Sequence, residues 1–288
     1  MGKLKALLEN IEFTNSLFAL PFAYMGAILA ARGLPSWHDV GWITVAMVGA
    51  RSAAMALNRV IDLEIDKRHP RCMERPMVTG AITMGETAVF IAVSFGLLFW
   101  AALNLNPLCL KLLPLGVLPL VVYSYMKRIS WLCHLVLGVA LAAAPVGAWL
   151  AVAGSVELPA LLLGGAIMMW IAGFDIIYGS LDVDFDRANR LHSIPAHFGL
   201  VRGLYMSRVF HALSVGLLLS VGLVCKLSVL YYVGVALAGA VLVYQHIIVS
   251  PGDLSRVNRK FFLHNSMVGI FVFVLTLIDR WVAVHGGT

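Results

Sequence analysis

The chain has 288 residues, of which 60% are hydrophobic and only 12% charged; its formal net charge is +6 and its mean hydropathy is +0.89. These values exclude a soluble globular enzyme and place it among polytopic membrane proteins, with length for about nine spans of roughly 20 residues around one cavity. The basic excess is of the kind that orients membrane proteins, and with no soluble basic face or base-stacking module nucleic acid is excluded as a partner.

From the N-terminus, Leu4, Leu7, Leu8 and Ile11 share one face and predict a short interfacial helix. The opening Met1-Gly2-Lys3-Leu4-Lys5 has no cleavable signal pattern, so the run from Phe13 to Ala31 is expected to remain as a membrane helix. Further apolar segments fall at 41–57, 87–105, 107–126, 132–153, 158–178, 203–224, 228–249 and 262–282. The prediction is an all-α bundle of nine transmembrane helices around a central cavity. Asn104-Leu105-Asn106-Pro107 divides segments three and four, and Pro114 and Pro119 should bend the fourth. Basic residues of the N-terminus and of the loops near 67–75, 127–128, 187–202 and 256–260 fall on one side, against Arg32, Lys111, Lys226 and Arg280 on the other. That asymmetry predicts a multi-pass protein of the cell membrane with its N-terminus and acidic motifs cytoplasmic and its C-terminus outside. Cys72, Cys109, Cys133 and Cys225 form no Cys-x-x-Cys pair, so neither zinc nor a disulfide framework is expected. Segments two and six each end in an acidic motif followed by a basic loop and a proline. A single domain of two related halves, about 1–130 and 131–288, is the simplest reading.

Those acidic motifs carry the chemistry. On a helix, Asn58, Asp62 and Asp66 recur every four residues and line one stripe, with Arg51 on the same stripe about two turns deeper. Asp175, Tyr178, Asp182 and Asp186, spaced three, four and four, form a second stripe. Carboxylates at the edge of hydrocarbon are costly unless neutralised, and two oxygen-rich rows facing one cavity suit Mg²⁺, which takes a few carboxylates together with phosphate oxygens. The plainer reading is that the acids pair with Lys67, Arg68, Arg187 and Arg190 in solvated loops; finding the same register twice, inside apolar runs, favours the metal. Arg51 needs an anion, either a structural partner such as Asp175 or the carboxylate of a small acceptor held in bidentate fashion. Tyr123 and Lys127, four apart at the end of segment four, are either a snorkelling pair or diphosphate contacts, and Arg71 and Arg75 are either topological charges or further contacts. Phe18, Phe22, Tyr24, Trp149, Trp170, Phe174 and Tyr178 are available to shield a cation, although most such residues only pack.

These residues resemble the UbiA superfamily of intramembrane prenyltransferases over nearly the whole chain. The family's Asn-x-x-x-Asp-x-x-x-Asp is matched by Asn58, Asp62 and Asp66, and its second Asp-x-x-x-Asp by Asp182 and Asp186, preceded by Tyr178 and followed by Ser193-Ile194-Pro195. Within the family the chain is most similar to 4-hydroxybenzoate polyprenyltransferases, and a dihydroxynaphthoate-prenylating relative would carry almost the same motifs. Arg59 stands where many relatives have Asp, and Asp184 is an additional carboxylate.

The resemblance implies Mg²⁺ held by Asn58, Asp62, Asp66, Asp182 and Asp186 on the diphosphate of a polyprenyl donor. It implies diphosphate contacts from Lys127, Arg71, Arg75, Tyr123 and Tyr178, and Arg51 on a small aromatic acid. Asp175 or Asp182 is the expected proton acceptor. The implied partners are polyprenyl diphosphate, the aromatic acid and the lipid bilayer, with no obligate protein partner. A membrane transporter is the alternative of another class; it predicts helices broken at the midplane, whereas acids at span ends favour the enzyme.

Overall fold

The computed structural model describes residues 2–12, 20–257 and 259–286. Residues 13–19, with Phe18 and the start of the first predicted span, lie outside the described residues, as does the side chain of Leu4. The amphipathic segment forms α1 (Lys3–Asn10). There Ala6 and Leu7 pack with Met77, Ile82, Val60 and Leu63, and Ile11 just beyond is buried.

Among the described residues the long apolar helices are α2 (Leu20–Ala31), α3 (Trp37–Ile61), α5 (Met84–Asn104), α6 (Pro107–Ile129), α7 (Cys133–Ala153), α8 (Leu158–Gly179), α11 (Leu200–Val224), α12 (Val229–Ile248) and α13 (Arg259–His285). Eight are long and apolar enough to cross a membrane, while the described part of α2 is shorter. Short helices α4 (Leu63–Asp66) and α9 (Val183–Ala188) carry the last aspartate of each acidic motif, and α10 (Ile194–Phe198) follows the second. Helix boundaries fall within a few residues of the hydropathy segments, and several starts carry their own signal. Ser36 accepts from the Asp39 amide at the start of α3, Thr83 and Glu86 form a capping box on α5, and Asn106 caps α6 with Pro107 in its first turn. Pro114 and Pro119 both sit inside α6, which remains one helix of 23 residues.

Between membrane helices there is little hydrophobic drive, so close packing depends on small residues that let backbones approach. A Cβ on Gly26 of α2 would lie 2.3 Å from the Pro145 carbonyl oxygen of α7, and one on Gly138 of α7 would lie 2.4 Å from that of Met168 on α8. Gly49 brings α3 equally near α5 at Ser94 and Leu98. Large exposed side chains such as Val89, Leu115, Val201 and Ile247 face outward, where lipid rather than water suits them. The four cysteines are free.

Candidate active site

Both acidic rows sit where a span stops. α3 ends at Ile61, Asp62 adopts φ −92° and ψ 4°, and α4 restarts at Leu63. The amide of Asp62 still bonds the Asn58 carbonyl at 2.8 Å, and that of Asp66 bonds the Asp62 carbonyl at 2.8 Å, so the four-residue register survives the bend. In the second row a 3₁₀ turn, Ser180–Asp182, joins α8 to α9. Each of the two stripes expected from spacing is therefore bent, the first at Asp62 and the second at the turn Ser180–Asp182. Asp62 and Asp182 occupy helix N-cap positions, yet neither side chain caps its helix. Their carboxylates are spent elsewhere.

Asp62 accepts from Asn58 Nδ2 at 2.7 Å and from Arg128 at 3.0 Å. Burial pushes its carboxyl above the usual range, and the Arg128 guanidinium opposes that shift. Asp66, nearly buried, is paired with Arg75 at 2.5 Å. Asp182 is held by His69 Nε2 at 3.0 Å and by Arg71, whose guanidinium also stacks 5.1 Å from the Tyr178 ring centre. Asp186 is buried, and its Oδ2 has no hydrogen-bond partner among the described residues. Lys127 lies between the rows: it feels the charges of Asp186, Asp175 and Asp182, and Asp62 on the opposite row feels Lys127. The rows therefore face one another, bridged by Lys127 and by the His69–Asp182 and Arg71–Asp182 contacts.

Beneath them lies a cavity of about 390 Å³ walled mainly by α3, α6, α7 and α8. Its lining is apolar apart from a few groups, among them Arg51, Tyr123 and Asp175. The four aspartates of the paired motifs are not on this wall; three of them pair with Arg71, Arg75 and Arg128. Asp175 pairs with His134 at 2.7 Å. The Tyr123 hydroxyl donates to the Ala54 carbonyl at 3.1 Å and so ties α6 to α3. Of the aromatic candidates, Phe22, Trp170 and Phe174 line the cavity, with Phe22 and Trp170 rings 4.9 Å apart. Tyr24 instead bonds Thr44, and Trp149 is core.

Lys67 pairs with Glu64, and Arg187 bonds the Ala196 carbonyl, so these loop cations do not neutralise the rows. Asp184 is exposed and stands apart from its neighbours. Arg59, the departure from the usual motif, is buried and reaches α1, donating to the Asn10 carbonyl at 2.9 Å and to Glu12 at 2.9 Å. Sequence reasoning missed His69, His134 and Arg128. Arg128 sits beside Lys127 and could have been found from that; the histidines have no spacing that signals their partners.

Among the described residues no three acidic, histidine or cysteine side chains converge as a ready metal cage. The donors nonetheless fit Mg²⁺: they are all oxygen, they come from two facing rows, and one buried carboxylate oxygen on Asp186 is unsatisfied.

Residues 19–267 match the model of the UbiA prenyltransferase family. The chain is 31% identical over 264 residues to a 4-hydroxybenzoate octaprenyltransferase of Aliivibrio fischeri (strain MJ11), covering 90% of each chain. Among solved structures it resembles the apo form of a UbiA homolog from Aeropyrum pernix K1, with 34% identity, a TM-score of 0.84 and coverage of 92% of this chain and 97% of that one. A UbiA homolog from Archaeoglobus fulgidus bound to DMAPP and Mg²⁺ shares the fold at 21% identity and a TM-score of 0.71, over 96% of this chain and 99% of that one.

Proposed function

This chain belongs to the UbiA prenyltransferase family, and we propose that it moves a polyprenyl group from its diphosphate to an aromatic hydroxy acid of the 4-hydroxybenzoate type, with Mg²⁺, for respiratory quinone synthesis. The observation that carries this reading is the stacking of two layers. Facing carboxylates and arginines lie above, and below them is an apolar cavity whose wall bears Arg51.

Asn58, Asp62, Asp66, Asp182 and Asp186 are the residues that would hold Mg²⁺, and the ion, when bound, supplies positive charge against the diphosphate. A homolog of the same fold from A. fulgidus is bound to DMAPP and Mg²⁺, which supports a metal-dependent reading of the site. Arg71, Arg75 and Arg128, now paired with carboxylates, are free to turn to phosphate oxygens once those carboxylates are neutralised. Lys127, whose ammonium makes no hydrogen bond within the described residues, is placed to meet the leaving group. As the allylic C–O bond breaks, its electron pair goes to diphosphate and the prenyl group becomes an allylic cation. The apolar wall keeps water from that cation, and Phe22, Trp170 and Phe174 offer ring faces to it. Arg51 holds the acceptor's carboxylate through paired N–H donors, turning the carbon ortho to the phenol oxygen toward the cation. The cytoplasmic side of the cell membrane is the assigned location of the site, from the distribution of lysine and arginine.

The test is turnover of labelled geranyl diphosphate by membranes carrying the protein, offered 4-hydroxybenzoate or dihydroxynaphthoates, with and without Mg²⁺. Transfer to 4-hydroxybenzoate, abolished by chelation and lowered about 100-fold or more in Asp62→Ala and Asp182→Ala, is the expected result. Full transfer by both variants would overturn the metal assignment, and exclusive use of a naphthoate would redirect the enzyme to menaquinone-type synthesis.

A further inference from the structure

Asp175 stands out among the cavity's polar groups because one of its oxygens is fixed and the other is not. Its Oδ2 meets His134 Nδ1 at 2.7 Å, and its side chain keeps 28% exposure on the cavity wall. Among the described residues no group bonds its Oδ1. His134 is fully buried on α7, at the cytoplasmic end of the cavity. Its other ring nitrogen, Nε2, receives the backbone N–H of Ile194 at 3.2 Å. A nitrogen that accepts an N–H must present its lone pair, so Nε2 is unprotonated and the ring proton is on Nδ1, where it donates to Asp175. The tautomer is thus set by a backbone amide, which has no alternative state.

That amide belongs to the loop behind the second acidic row, and the loop is pinned at several points. The His192 amide donates to the Lys127 carbonyl at 2.6 Å, the Cys133 thiol to the His192 carbonyl at 3.4 Å, and Ser193 caps α10. Gly179 completes the fit: a Cβ there would lie 3.3 Å from His134 Cε1, so the absence of a side chain gives the ring its place.

The geometry points to Asp175 as the base that takes the ring proton, and to His134 as the positioning residue that holds its carboxylate in one orientation, with Oδ1 toward the acceptor. This rests on the prenyl transfer proposed above. After the C–C bond forms, the ring carbon carries both hydrogen and prenyl group. Its C–H bond then breaks, the electron pair returns to the aromatic ring, and the proton passes to Asp175 Oδ1. His134 takes no proton, since its Nε2 lone pair is already engaged; it keeps the carboxylate from rotating toward Lys127, whose charge Asp175 feels.

The experiment compares 4-hydroxybenzoate with its ring-deuterated form, using geranyl diphosphate and Mg²⁺, in membranes carrying the native protein, Asp175→Asn, His134→Phe and His134→Asn. The native enzyme should show little isotope effect. Asp175→Asn should lose about 100-fold or more in kcat, and His134→Phe about tenfold, each with a normal isotope effect newly visible and the KM for geranyl diphosphate unchanged. His134→Asn, which can still donate to Asp175, should recover part of the loss. Undiminished kcat in Asp175→Asn, or lowered kcat without an isotope effect in His134→Phe, would overturn the assignment and leave the diphosphate itself as the proton's destination. Failure of the native protein to prenylate any phenolic acid would refute the proposed function first, and this inference with it.

Discussion

Gly147 offers a way to ask what the cavity holds. It lies on the wall, thirteen residues beyond His134 on α7, which places it roughly 20 Å deeper along the helix axis. A Cβ built there meets nothing within 4 Å, so the cavity itself fills the space. Gly147→Leu introduces four carbons, close to the bulk of one five-carbon prenyl unit, into about 390 Å³. In a bilayer the tail gains little by leaving lipid for protein, so chain-length preference must come from exclusion rather than affinity. Overpacking of this kind costs about 1–3 kcal/mol, equivalent to about 5- to 150-fold in kcat/KM. That loss should appear only for donors long enough to reach residue 147. Competition among dimethylallyl, geranyl, farnesyl and octaprenyl diphosphates in membranes reads it directly: the shortest donor should be unaffected and the longer ones should fall past a threshold. Equal losses for all four, or none, would refute the placement of the tail along α7.

Two further outcomes test the layers separately. Arg75→Ala leaves the nearly buried Asp66 without its cation, which should cost about 3 kcal/mol and lower Tm in detergent; added Mg²⁺ should restore most of the loss if Asp66 is a ligand, and none if it is not. Gly26→Ala forces a methyl group against the Pro145 backbone, so α2 and α7 must separate. The expected cost is about 1–3 kcal/mol, seen by size-exclusion chromatography after graded heating, without any change in Mg²⁺ requirement.

The spans were legible because a bilayer imposes both a length and a composition, and because Ser36, Thr83 and Asn106-Pro107 mark where helices begin. The acidic rows were legible for a related reason: a four-residue spacing names the face of a helix. What that spacing cannot name is the residue across the gap. Asp66 meets Arg75 within its own loop, but Asp62 meets Arg128, Asp182 meets Arg71, and Asp175 meets His134 on a different helix. Those pairings follow from how helices lean on one another through Gly49 and Gly138, and from bends at Asp62 and Asp182 that turn the carboxylates out of the helical line. Arg59 is the clearest instance. In sequence it is an odd residue inside a metal motif, and only its contacts with Asn10 and Glu12 explain the substitution.

That contact has a practical side. A shortened version of the protein lacking the first twelve residues would still contain every aspartate, arginine and lysine assigned to the chemistry. It would also deprive the buried Arg59 guanidinium of the Asn10 carbonyl and the Glu12 carboxylate that it bonds. Trimming or tethering at this end would therefore register in assays as damage to the active centre, and a tag is better carried at the opposite terminus.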